Sequence, residues 1–274
     1  MPPTPLPTVS IVIPAYNEEA SIRACVTAAI FQTSPASEII VVDNKSTDGT
    51  AGIVAAIQRE HPDSPVLYFQ QDEEQGLVPT RNFGLDRAQG NVIGRIDADS
   101  VIEPNWVEEV QKAFADESVA AATGPVLYYD MPLRRFGLKA DDQVRRFILK
   151  LSRDYHFLFG SNMAIRRTAW LAIRDQTCRD EGDELHEDID LSVHLAQNDL
   201  AVAYVPTMVS GMSARRLEDS PRDYAYYVRR FERTYARHGL MNPVLRAPMW
   251  VFFAIYPLGK TIRVIRQRRL ARVA

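Results

Sequence analysis

The feature that most restricts the fold is an alternation in roughly the first 115 residues, where short β-branched runs are each followed by a helical stretch. The runs are residues 9–14 (V-S-I-V-I-P), 38–43 (E-I-I-V-V-D), 66–70 and 92–96. Continuous apolar segments of this length suit strands covered on both faces. Helical patterning fills the intervals: residues 17 to about 32, with Ile22, Val26, Ala29 and Ile30 inward, then 50–59, 77–88 and a helix ending near Phe114. Asn17 is the expected N-cap of the first helix, with Glu18 and Glu19 in its first turn. Pro104 suits the first helical position of the last. Such alternation predicts an α/β fold, a mostly parallel central sheet flanked by helices with right-handed crossovers. Ligands then bind beyond the carboxyl ends of the strands.

Carboxylates collect at that edge. Asp43 ends the second run, and Asp97 and Asp99 follow the fourth (I-D-A-D-S, 96–100). Read as extended chain, residues i and i+2 project to one side, so Asp97 and Asp99 converge. Like charges raise each other's pKa, a conflict that a divalent cation removes. Oxygen-rich sites of this kind suit Mg²⁺ or Mn²⁺ carrying a ligand's phosphates.

The second half reads less regularly. Residues 119–129 are an expected strand, 132–154 a basic helix lying over the site, and 158–165 another strand. A short helix (167–173), an acidic loop (174–186), a helix over 188–197, strands at 201–205 and 208–212, and one long helix from Pro221 to about His238 complete it. H-E-D-I-D (186–190) contains a second D-x-D, but helical residues two apart point to nearly opposite faces. Asp188 and Asp190 therefore cannot share a metal; one faces the site and the other is a surface or capping group. Cys25 and Cys178 match no metal-ligand spacing and read as inert thiols of a reducing compartment. A net charge of −3 gives no global attraction to nucleic acid.

Six fragments in order, I-V-I-P-A-Y-N-E-E (11–19), V-V-D-N-K-S-T-D-G-T (41–50), G-L-V-P-T-R-N-F-G-L (76–85), I-D-A-D-S (96–100), G-S-N-M-A-I-R (160–166) and H-E-D-I-D-L-S (186–192), resemble the family 2 glycosyltransferases, inverting enzymes of GT-A fold. The resemblance covers roughly the first 195 residues. It implies a nucleotide-sugar donor, a UDP-sugar in first preference, and a glycan or lipid-linked acceptor. Pro14, Ala15, Tyr16, Glu18 and Asp43 match the nucleotide pocket, although Glu18 also reads as a helix cap and Asp43 as a turn. Asp99 matches the direct ligand of Mg²⁺ or Mn²⁺, with Asp97 on the metal, ribose or water. Arg81 reads either as a diphosphate contact or as a solvated helix arginine. Asp188 matches the base, oriented by Glu187, while His186 lines the acceptor site or stands behind it. Nucleotide binding without sugar turnover, in a scaffold protein of the same fold, is the alternative.

The implied layout is a catalytic domain over 1–240, with a nucleotide-binding half at about 8–100 and an acceptor half at about 101–240. A tail follows over 241–274. Processive relatives carry Q-x-x-R-W after the base; here R-F-E-R-T (230–234) lacks the glutamine and the tryptophan, which favours transfer of one sugar. Arg229, Arg230 and Arg233 either reach the diphosphate or form a solvated face. In the tail, residues 247–258 are apolar with prolines near both ends, and Lys260, Arg263, Arg266, Arg268, Arg269 and Arg272 follow. Such a segment lies in a membrane interface, packs on the domain, or meets a second subunit. The N-terminus lacks a secretory signal's basic and apolar regions, giving an expected cytoplasmic location, with the tail at the cytoplasmic face of the membrane.

Overall fold

The computed structural model describes residues 5–151, 156–180, 182, 184–240 and 243–270. Strands β1 (Val9–Ala15), β2 (Glu38–Asp43), β3 (Val66–Gln70) and β4 (Val92–Arg95) run parallel in the order β3-β2-β1-β4. Helices α1 (Ile22–Ile30), α2 (Thr50–Glu60) and α3 (Leu77–Arg87) make the crossovers. Alternate residues of these strands feed two cores, which is why the runs are apolar throughout. Ile11, Ile13, Ile39 and Val41 pack with Ile22 and Val26 of α1 and Val54 and Ile57 of α2. Val12, Ile40, Val42 and Ile93 pack with Leu85 of α3 on the opposite face. Each such side chain removed from water contributes about 1.5–3 kcal/mol.

The chain then passes β5 (Val101–Ile102), α4 (Trp106–Phe114), β6 (Val119–Thr123), β7 (Val126–Tyr128), α5 (Arg134–Leu151) and β8 (Met163–Arg166). Next come α6 (Arg167–Ile173), α7 (Glu187–Gln197), β9 (Ala201–Tyr204) and β10 (Ser210–Met212). β8 enters antiparallel to both β4 and β6, and β9 lies parallel to β6, completing the seven-stranded order β3-β2-β1-β4-β8-β6-β9. β5, β10 and β7 form a small second sheet. Gly94 of β4 admits the Trp106 ring of α4, since a Cβ there would stand 2.5 Å from the indole Cη2.

Several expectations are corrected. Residues 119–129 are two strands in different sheets, because a Cβ on Gly124 would collide with the Met208 carbonyl and Pro125 brings no N–H to a ladder. Residues 158–162 are not strand; only Met163–Arg166 pair. The expected helix over 132–154 is α5, its last three residues lying outside the described set. Asn17 is no N-cap: its φ is +53°, and α1 begins after Ser21. Pro104 precedes the cap Asn105 of α4. The single helix expected from Pro221 is α8 (Pro221–Val228) and α9 (Arg230–Arg237). Tyr224 of α8 stacks on Tyr256 of α10 (Ala247–Leu270), whereas Thr234 of α9 bonds the start of α7, so the chain re-aims between them.

The tail packs on the catalytic body. Tyr224 and Tyr256 stack at 4.1 Å, and Arg263 pairs with Asp130 and Glu218, both at 2.7 Å. Lys260 Nζ donates to the Asp219 carbonyl. Trp250, Ile255, Leu258 and Ile265 remain exposed on the same helix. Arg272 lies outside the described residues. Among the described residues no helix is long and apolar enough to cross a membrane.

Candidate active site

Ala15, Asp43 and Gln70 are in register where β1, β2 and β3 end. The buried pair Pro14–Ala15 leads into Tyr16, half exposed, and Asn17. The Asn17 Oδ1 accepts the Thr47 N–H at 2.8 Å while its own N–H donates to Ser46 Oγ at 2.9 Å. Asparagine tolerates the left-handed conformation and bonds locally, so it ties the loops after β1 and β2 into one rim. Asp43 is buried; Tyr68 donates its hydroxyl to Oδ2 (2.7 Å) and the Ser46 N–H donates to Oδ1 (2.9 Å). A carboxylate held this way presents fixed acceptor oxygens at the sheet edge.

Asp97 and Asp99 are brought together by a turn rather than by a strand. β4 ends at Arg95, and the Ser100 N–H donates to the Asp97 carbonyl at 2.9 Å. The extended i, i+2 argument thus gives the right neighbours by the wrong geometry. Burial raises the Asp99 carboxyl to about 6; Arg215 opposes the rise, and Asp97 and Glu18 add to it. Arg215 Nε lies 3.0 Å from Asp99 Oδ2, and its two terminal nitrogens fork onto Glu18 at 2.7 and 3.2 Å. Glu18 also accepts from the Ser21 hydroxyl at 2.6 Å, so it is not simply a helix cap. Asp99 and Glu18, bridged by the half-exposed Arg215, together with Asp97 form an oxygen donor set of the kind that suits an oxygen-preferring divalent cation.

A chain of charges links this corner to α7. Arg81 of α3 is buried, not solvated; it bonds Asp97 Oδ1 at 2.6 Å through Nη2 and Glu187 Oε1 through Nη1. Arg95, fully buried, reaches the same Glu187 oxygen at 2.9 Å and donates through Nε to the Gly160 carbonyl at 3.2 Å. The Gly160 N–H donates to Asp188 Oδ2 at 2.9 Å, and the Ile189 N–H to Oδ1 at 2.9 Å. Gly160 is required there because a Cβ would run into the Arg95 guanidinium. Burial alone would raise the Glu187 carboxyl, but Arg81 and Arg95 hold it down at about 2. Asp188 has the same burial with Glu187 as neighbour, and its carboxyl rises to about 6. Adjacent carboxylates driven apart in pKa are the pattern that separates a fixed anion from a group able to exchange a proton near neutrality.

The carboxylates expected from the motifs therefore meet: Asp97, Glu187 and Asp188 through Arg81, and Asp99 with Glu18 through Arg215. Asp43 lies on the same edge, two strands from β4 with β1 between. Gly160, which opens the G-S-N-M-A-I-R motif, admits them at close approach, and Arg95 and Arg215 join them without having been singled out. Arg95 sits inside an apolar run, and the R-R pair at 215–216 follows a short strand; neither carries a spacing signal. Arg233, considered for the diphosphate, instead donates to the carbonyls of Glu184 and Tyr226. His186 is buried against Phe231 and Tyr227, and burial pushes its imidazole down to about 3, so it is a neutral wall residue. Asp190 is neither a surface nor a capping group; it is buried, with Oδ1 at 2.7 Å from His238 Nε2.

The description "Glycosyl transferase family 2" matches residues 10–172, more than half of the chain, and "Glycosyl transferase family group 2" matches residues 92–268. The chain belongs to glycosyl transferase family 2. Its curated relatives include Glycosyltransferase AglE of Haloferax volcanii, 34% identical over 123 residues, 44% of this chain and 40% of that protein. Hyaluronan synthase of Streptococcus pyogenes is 36% identical over 120 residues, 42% of this chain and 29% of that one. This family 2 chain spans less than half the length of the curated relatives it matches. Among solved structures, the mannosyltransferase PcManGT of Pyrobaculum calidifontis, in complex with GDP-Man and Mn²⁺, superposes with a TM-score of 0.69 at 20% identity. That match covers 99% of this chain and 77% of the other. Glucosyl-3-phosphoglycerate synthase of Mycobacterium tuberculosis, with Mn²⁺, UDP-Glc and phosphoglyceric acid, gives 0.56 at 18% identity over 86% and 81%. These likenesses establish the GT-A fold.

Proposed function

We propose that the protein is an inverting glycosyltransferase that moves one sugar from a nucleoside diphosphate sugar, with UDP-sugars first in preference, to an acceptor hydroxyl. The observation that carries the reading is the polar chain Asp97–Arg81–Glu187 leading to Asp188, whose carboxyl is poised near 6. Asp43 with the rim of Pro14, Ala15, Tyr16 and Glu18 receives the nucleoside, and Arg81 neutralises charge beside the diphosphate. Asp99, with Asp97, would hold a Mg²⁺ or Mn²⁺ ion, which when bound offsets charge on the departing diphosphate. Neighbouring structures that hold Mn²⁺ with nucleotide sugars support that class of cofactor.

Asp188 takes the proton of the acceptor hydroxyl as the acceptor oxygen bonds the anomeric carbon. The bond from that carbon to the diphosphate oxygen breaks with its electron pair leaving on the nucleoside diphosphate. One displacement inverts the anomeric centre, so an α-linked donor gives a β-linked product. Glu187, pinned by Arg81 and Arg95, stays ionised and orients its neighbour. The absent glutamine and tryptophan of the processive motif favour single transfer. Exposed Trp250, Ile255 and Leu258 on α10 support peripheral contact with a cytoplasmic membrane face and an acceptor that is a lipid-linked or envelope glycan. A panel of nucleoside diphosphate sugars, assayed for nucleoside diphosphate release with Mn²⁺ or Mg²⁺ and membrane extract, tests the reading. Extract-dependent release from one donor is expected; binding without release from any donor would contradict it.

A further inference from the structure

A second cluster of ligating side chains lies on α7, on the face turned away from Asp188. Cys178 from the loop after α6, Asp190 and His194 from α7, and His238 at the end of α9 offer one ligand atom each. These four atoms lie within 4.8 Å of one another. Asp190 and His194 are spaced i, i+4, which places them side by side on one helix face. The His194 and His238 rings meet edge to face at 5.0 Å. His194 is only 8% exposed, yet no hydrogen bond reaches either of its ring nitrogens; Nε2 stands 3.5 Å from Asp190 Oδ1. Asp190 itself takes the Cys178 N–H at 2.9 Å and pairs with His238 at 2.7 Å.

We infer that Cys178, Asp190, His194 and His238 form a structural zinc site that ties the loop after α6 and the end of α9 to α7. One thiolate, two imidazoles and one carboxylate are the donor types zinc takes in closed four-coordinate sites. In such a site the ligand atoms stand about 3.3–3.6 Å apart, as follows from metal–ligand distances of about 2.0–2.3 Å in a tetrahedron. The widest separation here must contract by about 1 Å, and the Asp190–His238 pair must open slightly. Both are within the reach of side-chain torsions. Binding releases the thiol proton, and the two anions then balance the charge of the ion. The ligands span sixty residues without a C-x-x-C or H-x-x-x-H spacing, which hides the site from sequence patterns. This inference does not rest on sugar transfer.

The protein, made without a polyhistidine tag and passed through gel filtration, should retain about one zinc per chain by elemental analysis. Cobalt substitution should give a thiolate-to-metal charge-transfer band that Cys178→Ser abolishes. His238→Gln should lower zinc affinity, measured against a chromophoric chelator, at least about tenfold. Wild-type protein stripped of metal should gain thermal stability on adding zinc, and Cys178→Ser should not. Excess Mn²⁺, an oxygen-preferring ion, should leave the bound zinc in place. Wild-type protein that neither retains zinc nor binds it saturably at one equivalent would overturn the inference. Equal zinc affinity in wild type, Cys178→Ser and His238→Gln would do so too.

Discussion

Replacing Asp188 with asparagine keeps the side chain's shape and removes its capacity to accept a proton. Transfer should fall by about 10²–10⁴-fold in kcat, the usual contribution of a positioned base. Stability should change little, for reasons set by the local geometry. Burial and Glu187 lift the Asp188 carboxyl from 3.8 to about 6. A carboxyl raised on folding destabilises progressively as pH climbs from the unfolded value to the folded one. The full effect, about 3 kcal/mol, is present at pH 7. Asparagine abolishes that penalty but has one carbonyl oxygen where two backbone N–H groups, from Gly160 and Ile189, now donate. Leaving one of those donors unpaired costs about 1–3 kcal/mol. The two effects offset to within about 2 kcal/mol, so the denaturation midpoint stays near that of the wild type. Nucleoside diphosphate release gives kcat, and calorimetry with the nucleotide checks that the donor site is intact. A kcat within about threefold of wild type would remove Asp188 as the base. Stability lowered by much more than about 3 kcal/mol would refute the electrostatic argument.

With metal saturating and donor well below saturation, kcat/KM should fall on the acid side with a midpoint near 6, because it reports the free enzyme and Asp188 must be ionised to take a proton; a limb near 4 would contradict this. Asp99 has a similarly raised carboxyl, so Mn²⁺ affinity without nucleotide should weaken about tenfold per pH unit well below 6, as titration at several pH values would show. Arg215→Ala deletes the cation between Glu18 and Asp99 and should tighten nucleotide-free Mn²⁺ binding about three- to tenfold; unchanged or weaker binding would mean the arginine is no competitor. Gly94→Ala forces a Cβ against Trp106 and should destabilise by about 1–3 kcal/mol in urea. Gly52→Ala on α2, where a Cβ meets nothing within 4 Å, should stabilise by about 0.5–1 kcal/mol.

The parallel half of the fold was legible because its signals are local. Each buried run is β-branched, and β1 to β4 begin and end within a residue of their expected bounds. The second half depends on partners far along the chain. Residues 158–162 look like strand but fold into a turn, whose carbonyl at Gly160 accepts from Arg95 and whose N–H binds Asp188. The carboxylates of the site were readable from motif order, and α-helical periodicity correctly set Asp188 and Asp190 on opposite faces of α7. What periodicity does not supply is the company each keeps. Arg95 has the look of an ordinary strand residue until Glu187, ninety-two positions later, is placed beside it. Asp190 reads as a surface group until His238 arrives from α9.

The central claim is that Asp97 and Asp99 hold an ion-bound nucleoside diphosphate in the same cleft that Asp188 lines. Crystals soaked with Mn²⁺ and a nucleoside diphosphate, examined by anomalous scattering, test it most directly. A nucleotide-dependent manganese peak against Asp99, with the base beside Asp43 and the diphosphate open toward Asp188, is the expected result. A nucleotide-dependent peak away from Asp99, or a diphosphate facing away from α7, would contradict the account.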